Sequence, residues 1–222
     1  MSDSVSPVDA PHVIVTRFSV PRPDDPDTAE RHGDAGWLNR RLDLFRTFFV
    51  PSVSRLGAPA VLLCSNRSAG LVSDALADLD WAVVVVQDDW YGGWQGNPHQ
   101  TLTRVDSDDA VHERWFEAVD ALPEDVEVCF TKDFLRYDPA RGKLASYRRD
   151  VPSPLAAFRG GRNPYACDHA VLEQHYVARH IEGAFLLQVF HGGNVSTRRP
   201  SWYRRRLPLE RLAAFGVDIP NG

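Results

Sequence analysis

The 222-residue sequence has almost no lysine. Lys132 and Lys143 are the only two, so nearly all of its 25 Lys and Arg cations are arginines. A biased base composition in the coding genome accounts for such an excess without any functional cause. Equally, the planar guanidinium suits phosphate, to which it donates two hydrogen bonds at once. Cysteine is scarce too. Cys64, Cys129 and Cys167 are odd in number, widely spaced and lack a C-x-x-C pair. That argues against a disulfide framework or a zinc cluster and leaves buried free thiols in a reducing, cytoplasmic compartment as the expectation. No apolar run approaches the roughly 20 residues that span a bilayer; residues 81–86 are among the longest. Residues 1–11 have neither the basic start nor the apolar stretch of a secretory signal. A soluble protein is expected, with any membrane contact peripheral. Charge of one sign is not in large excess either: 30 acidic against 25 basic residues give a net charge of -5. This argues against a protein that coats nucleic acid through bulk charge.

What the sequence does contain is enough apolar residue, 43%, for one globular domain, alone or with a small lobe. After a frayed tail at 1–11, the β-branched run HVIVTRFSV predicts a first strand at 12–20. A Pro-, Asp- and Gly-rich loop follows over 21–35. Trp37, Leu38, Leu42, Phe45, Phe48 and Phe49 recur at helical spacing, and Pro51 should end or kink that helix. A second strand is expected at 60–65, a short helix at 69–79 and a third strand at 81–87. The apolar run of that third strand suggests cover on both faces, as in parallel sheets. Strand, helix, strand, helix, strand is the alternation of an α/β fold. Residues 88–100 read as a loop, 101–105 as a short strand and 110–122 as a helix. Residues 127–137 and 143–149 read as a hairpin, and 163–179 as a loop that enters a helix. A last apolar strand at 184–190 runs into His191-Gly192-Gly193-Asn194, and an arginine-rich helix is expected over 200–216.

The sharpest feature is Asp106-Ser107-Asp108-Asp109, three carboxylates in four residues at the end of a strand and before a predicted helix. In open α/β sheets ligands bind outside the carboxyl ends of strands. Carboxylates are hard oxygen ligands that suit Mg²⁺ or Mn²⁺, and such an ion neutralises the charge of a departing diphosphate. The same pattern also reads as an acidic turn that caps the next helix, a dipole effect of about 0.3–1 kcal/mol.

The strand-terminal DSDD resembles the D-x-D(-D) signature of GT-A glycosyltransferases. More of the chain resembles a rhamnosyltransferase family within that fold: HVIVTRFSV, then W-L-x-x-R-x-x-L-F leading to PSV, TLTRVDSDDA in mid-chain and LLQVFHGGNVS near the C-terminus. These pieces keep the family's order over residues 12 to about 200. Two departures stand out: Ser107 occupies a place where the family often has Asn, and loop 88–100 is unusually rich in Trp and Gly. The resemblance implies a GT-A-like (Rossmann-like) domain over 12–222, with a mixed, mostly parallel central sheet flanked by helices and a small hairpin insertion. The nucleotide-binding half would cover 12–109 and the acceptor half 110–222. It implies metal-dependent transfer of a sugar, rhamnose if the family label holds, from a nucleotide-diphosphate sugar to a hydroxyl of a glycan, a lipid-linked acceptor or a small molecule.

The resemblance also implies roles. Asp108 would bind the metal directly, Asp106 would contact the ribose or a metal-bound water, and His191 would complete the metal shell. Thr16 and Arg17 at the end of the first strand, and Arg67 after the second, would face the nucleotide. Arg104 is a further phosphate candidate, or a salt bridge that holds the aspartates apart. An inverting transfer needs a base, for which Asp168 has the right place and Glu173 is the reserve; Asp168 reads equally well as a helix cap. His191 reads equally well as a hydrogen-bonded loop residue. Trp90, Tyr91 and Trp94 would form a platform for a sugar or acceptor, or pin their loop to the core. Gly92, Gly93 and Gly96 would let that loop close. Two other classes compete: a non-catalytic nucleotide-sugar-binding module and a metal-dependent phosphohydrolase. The latter is disfavoured because its D-x-D lies near the N-terminus and continues differently. The run at Arg204 to Leu207 reads as a surface or membrane-proximal patch.

Overall fold

The structure, a computed structural model, describes residues 9–25, 27–191 and 206–218. Residues 1–8 of the expected tail, Gly192 to Asn194 after the last strand, and Arg204 and Arg205 lie outside those residues. The strands in chain order are β1 (His12–Ser19), β2 (Ala60–Cys64), β3 (Ala82–Val86), β4 (Thr101–Arg104), β5 (Ala110–Val111) and β6 (Val128–Phe130), then β7 (Asp133–Asp138), β8 (Lys143–Arg148), β9 (Ala156–Phe158), β10 (Ala178–His180), β11 (Leu186–Val189) and β12 (Arg206–Leu207). The helices are α1 (Asp27–Arg31), α2 (Ala35–Leu44), α3 (Val50–Leu56), α4 (Ala69–Ala75), α5 (Trp115–Asp120) and α6 (Leu172–His175). The fold is α/β, as the alternation predicts. Among the described residues no helix is long and apolar enough to cross a membrane.

The main sheet is mixed and mostly parallel, in the order β10-β6-β9-β4-β1-β2-β3. β1 pairs in parallel with β2 on one side and with β4 on the other. Only β9 runs antiparallel to its neighbours β4 and β6. β1 is buried on both faces because its apolar residues alternate between two cores. Ile14 and Phe18 meet the helices, while Val13 and Val15 meet Tyr165, Trp90 and Trp94. One face is thus covered by helices and the other largely by an aromatic loop. The expected cover of β3 on both faces does not hold. β3 is the edge strand, and Val83 and Val86 are exposed.

α2 begins where Asp34 accepts a hydrogen bond from the Trp37 amide, an N-cap that satisfies one orphan donor. The helix does not end at Pro51. It widens into a π-turn over Phe45–Phe49 and continues as α3, with Pro51 in its first turn. Pro51 has no N–H to give to the helix and its ring would crowd the carbonyl one turn back; the wide turn, in which the Val50 N–H reaches the Phe45 carbonyl, lies just before it. The predicted loop 21–35 contains α1.

A second, five-stranded sheet has the order β12-β8-β7-β11-β5. Three expectations change here. The predicted helix 110–122 starts as β5, because Ala110 and Val111 pair with Leu187 and Leu186; the helix begins only at Trp115. Residues 127–137 break into β6 and β7, which belong to different sheets. The β7–β8 hairpin is therefore part of this second sheet, not an insertion. In the C-terminal region, β12 and a 3₁₀ segment at Leu209–Phe215 replace the expected helix. Leu212 and Phe215 of that segment close a second core with Leu135, Leu187 and Val189.

Candidate functional site

The chain passes from β1 to β2 to β3 on one side of the main sheet, and β4 then returns on the other side of β1. Such a switch in strand order opens a crevice at the carboxyl ends of the two adjacent parallel strands, the usual ligand place in open α/β sheets. Arg17 lies near the end of β1, and Asp106-Ser107-Asp108-Asp109 follows β4 directly.

The three carboxylates have three different environments. Asp109 is buried, and its Oδ1 accepts the Val189 N–H at 2.9 Å. It is not a helix cap; it ties the cluster to β11. Burial, then the charges of Asp108 and Asp106, push its carboxyl well above the usual range. Asp106 is also raised, by burial and then by Asp108, against the pull of Arg17, Arg104 and Arg41. Asp108 goes the other way. Burial alone would raise it, but Arg41 and the hydrogen bond from His191 outweigh that and hold its carboxyl down at about 2. His191 Nε2 lies 2.8 Å from Asp108 Oδ2, and Arg41 Nη1 lies 3.5 Å from the same oxygen. Arg41 Nη2 donates to Ser107 Oγ at 2.7 Å.

Arg17 is held by aromatics. Its guanidinium carbon lies 3.4 Å from the Trp90 ring centre and 4.3 Å from that of Tyr165. Its Nη1 donates to the Trp90 carbonyl at 3.0 Å. Tyr165 in turn donates to the Val15 carbonyl and accepts the Arg17 amide, which fixes the end of β1; burial pushes its phenol up to about 12. Beside Trp90, an open cleft of about 230 Å³ lies between the segments that follow β1 and β3, lined by Pro21, Arg22, Asp88, Asp89, Trp90 and Tyr91 among others.

Several predicted site residues stand elsewhere. Thr16 is wholly buried, its Oγ1 without a hydrogen-bond partner among the described residues, so it presents no exposed surface at the end of β1. Arg104 neither bridges the aspartates nor faces solvent. It is buried and donates to the carbonyls of Pro154, Pro164 and Cys167. Arg67 is exposed in the turn before α4. Asp168 caps the 3₁₀ turn His169–Val171 through the Ala170 N–H at 2.8 Å, and its side chain is 65% exposed, so it stays open to a ligand. Glu173 pairs with Lys132. Loop 88–100 is pinned to the core. Trp90 and Trp94 pack against the second face of the sheet. The Gly96 amide donates to the Gly161 carbonyl, and the Gly161 amide to that of Gln100. Gly92, Gly93 and Gly96 sit where a Cβ would meet Gln87, Asn163 and Gln100, so close packing accounts for them without a hinge. Cys64 and Cys129 are buried free thiols, and burial pushes both up to about 12.

The expected metal set is only partly assembled. Asp108 and His191 come together, but no group of three His, Cys, Asp or Glu residues placed to hold an ion occurs among the described residues. The pair supplies one hard carboxylate oxygen of the kind that Mg²⁺ and Mn²⁺ take, with phosphate and water left to complete such a shell; here its two atoms are joined by a 2.8 Å hydrogen bond. Sequence reasoning assigned no role to one residue of this site, Arg41, the arginine of the W-L-x-x-R-x-x-L-F motif. Comparison with models of known protein families finds no match to this chain, and comparison with curated proteins finds none either.

Proposed function

We propose that the chain is a metal-dependent glycosyltransferase of GT-A type that transfers a sugar from a nucleoside-diphosphate donor to an acceptor hydroxyl. The observation that carries this reading is the meeting of Asp108, at the end of β4, with His191, just after β11, beside the cationic end of β1 at the switch in strand order. The mixed, mostly parallel sheet with a smaller second sheet supports the same fold.

In this reading the nucleoside occupies the cleft beside Trp90, with the ribose toward Asp106. Arg17, held between Trp90 and Tyr165, places a fixed positive charge near the phosphates. Asp108 and His191 hold the Mn²⁺ or Mg²⁺. When bound, that ion supplies positive charge to the departing diphosphate oxygen. Asp168 takes the acceptor proton at its carboxylate if the transfer inverts. Its carboxyl is held below the usual range, since the Ala170 N–H, His169 and Arg104 outweigh the effect of burial. It is therefore ionised at neutral pH and able to accept a proton, although a carboxyl raised toward the operating pH is the stronger base.

One observation favours a second reading, a nucleotide-sugar-binding module without turnover: Asp168 Oδ1 is already engaged as a cap. Incubation with a panel of nucleotide sugars and Mn²⁺ separates the two. Donor-dependent release of nucleoside diphosphate supports the enzyme. Thermal stabilisation by UDP, GDP or dTDP without turnover on any acceptor supports the module. In either case Asp108→Ala is expected to abolish metal-dependent nucleotide binding; unchanged affinity in that variant refutes the site.

A further inference from the structure

Arg41 is an unusual cation. It extends from α2 in the same stripe as Trp37 and Phe45, residues that face the core. Its guanidinium carbon lies 5.9 Å from the ring centre of Trp37 and 6.0 Å from that of Phe18. A guanidinium has five N–H donors. In Arg41, Nη2 is used by Ser107, Nη1 stands 3.5 Å from Asp108, and Nε is buried without a hydrogen-bond partner among the described residues. At 3.5 Å the contact with Asp108 is an ion pair with no close hydrogen bond, while His191 holds the same oxygen at 2.8 Å. A charged fork with donors to spare, partly buried beside two rings and placed against a carboxylate, suits an oxyanion that is not the carboxylate.

We propose that Arg41 is the pyrophosphate-binding cation of the site, and that it and a divalent ion are competing neighbours of Asp108. Without ligand, Arg41 balances Asp108. When a diphosphate enters, the guanidinium gives its spare donors to phosphate oxygens, and Asp108 with His191 is released to the ion. The inference rests on the diphosphate reading above and adds to it an exchange: the site carries its own counter-cation before any metal arrives. Arg17 is less suited to that task, since its guanidinium is already stacked on Trp90 and bonded to the Trp90 carbonyl.

The exchange gives Arg41→Gln two effects of opposite sign. Inorganic pyrophosphate, titrated calorimetrically in the presence of Mg²⁺, should bind at least about tenfold more weakly to the variant, a loss of about 1.4 kcal/mol. Mn²⁺ titrated alone should bind severalfold more tightly, because a like charge has left Asp108. A merely structural role would weaken both. Unchanged pyrophosphate affinity, weaker or unchanged Mn²⁺ binding, or no pyrophosphate binding by the wild-type chain overturns the proposal. If Arg41→Gln does not fold, phenylglyoxal labelling of the wild-type chain read by peptide mass spectrometry decides instead. Pyrophosphate should protect Arg41 from the reagent, and equal labelling with and without it overturns the proposal. Stabilisation by nucleoside diphosphates is read separately on the wild-type chain, so failure of Arg41 to act and failure of the nucleotide reading are told apart.

Discussion

Asp109→Asn should make the protein more stable at neutral pH, although it removes one of the three aspartates that define the motif. Asp109 is buried, and among the described residues its side chain accepts one hydrogen bond, from the Val189 amide. Asn keeps a carbonyl oxygen for that amide. Its new N–H groups are attracted by the Asp106 and Asp108 carboxylates that repelled the old charge. The gain follows from linkage. Burial, then Asp108 and Asp106, hold the folded-state carboxyl well above the value of 3.8 that it has when unfolded. A carboxyl raised on folding lowers stability at every pH above its unfolded value. The loss grows by about 1.4 kcal/mol for each pH step of one above that value, until the folded value is reached. The penalty is complete above the folded value, shrinks as the pH falls between the two values and vanishes below the unfolded one. Asn has no such penalty. A gain of at least about 1 kcal/mol at neutral pH corresponds to a rise of roughly 2–4 °C in melting temperature for a domain of this size. The assay is differential scanning calorimetry of both proteins from neutral pH down to about pH 4, near the unfolded value. The difference should be largest at neutral pH and close toward the acid end. A variant that melts lower at neutral pH, or a difference that does not change with pH, refutes the reasoning. Because Asp109 is committed to Val189, the same variant should keep the nucleotide affinity that Asp108→Ala loses.

Arg104→Met removes a buried cation that serves three backbone carbonyls. Unpaired buried acceptors cost about 1–3 kcal/mol each, so urea denaturation should show a loss of about 3 kcal/mol or more, and a loss below about 1 kcal/mol would mean that Arg104 serves a ligand and not the fold. Asp168→Asn keeps an oxygen for the Ala170 N–H and removes the base, so turnover should fall by about 10²–10⁴-fold with the melting temperature little changed; full turnover would leave Asp168 a cap alone. Gly161→Ala drives a Cβ into the Asn97 carbonyl oxygen at a φ of +63°, where strain costs about 1–3 kcal/mol. It should break the joint between residues 96 and 161 and expose the Gly96 amide to faster hydrogen exchange; unchanged protection there would mean that the loop is not held by that joint.

Most of the first half of the fold is legible in the sequence because its elements satisfy local and global demands together. HVIVTRFSV is β-branched and alternates, and the structure uses both alternating faces. The failures have tertiary causes. Val111, Trp115, Val119 and Leu122 recur at helical spacing, and α5 does use Trp115 and Val119. Ala110 and Val111 nonetheless leave the helix to pair with Leu187 and Leu186, a distant partner that no local pattern announces. The apolar run of β3 suggested a central strand, yet strand order, which sequence does not encode locally, puts it at the edge. Among the candidate site residues, Asp108 and His191 were singled out by the resemblance, and the structure brings the two side chains together. The places of Thr16 and Arg104 were not legible, because a position near the end of a strand does not say whether a side chain turns to the crevice or to the core.

Arg41 was hidden for a different reason, and its case carries the most general point. It is the arginine of W-L-x-x-R-x-x-L-F, yet on the linear sequence nothing gives it a role that Arg40 and Arg46 lack. Helical geometry separates them. Arg41 is four residues after Trp37 and four before Phe45, so it shares their stripe, whereas Arg40 and Arg46 are exposed. A cation in an apolar stripe must find a partner or remain in water, because burying it unpaired is too costly. The partner here, Asp108, comes from a carboxylate cluster with the complementary problem of too much negative charge. Neither half is interpretable alone: the aspartates imply an external cation, and the arginine implies an external anion. Brought together, each satisfies part of the other's demand. Their contact is weak in geometry, 3.5 Å against 2.8 Å for His191, and in the proposed exchange that is the contact a diphosphate and a metal ion would replace.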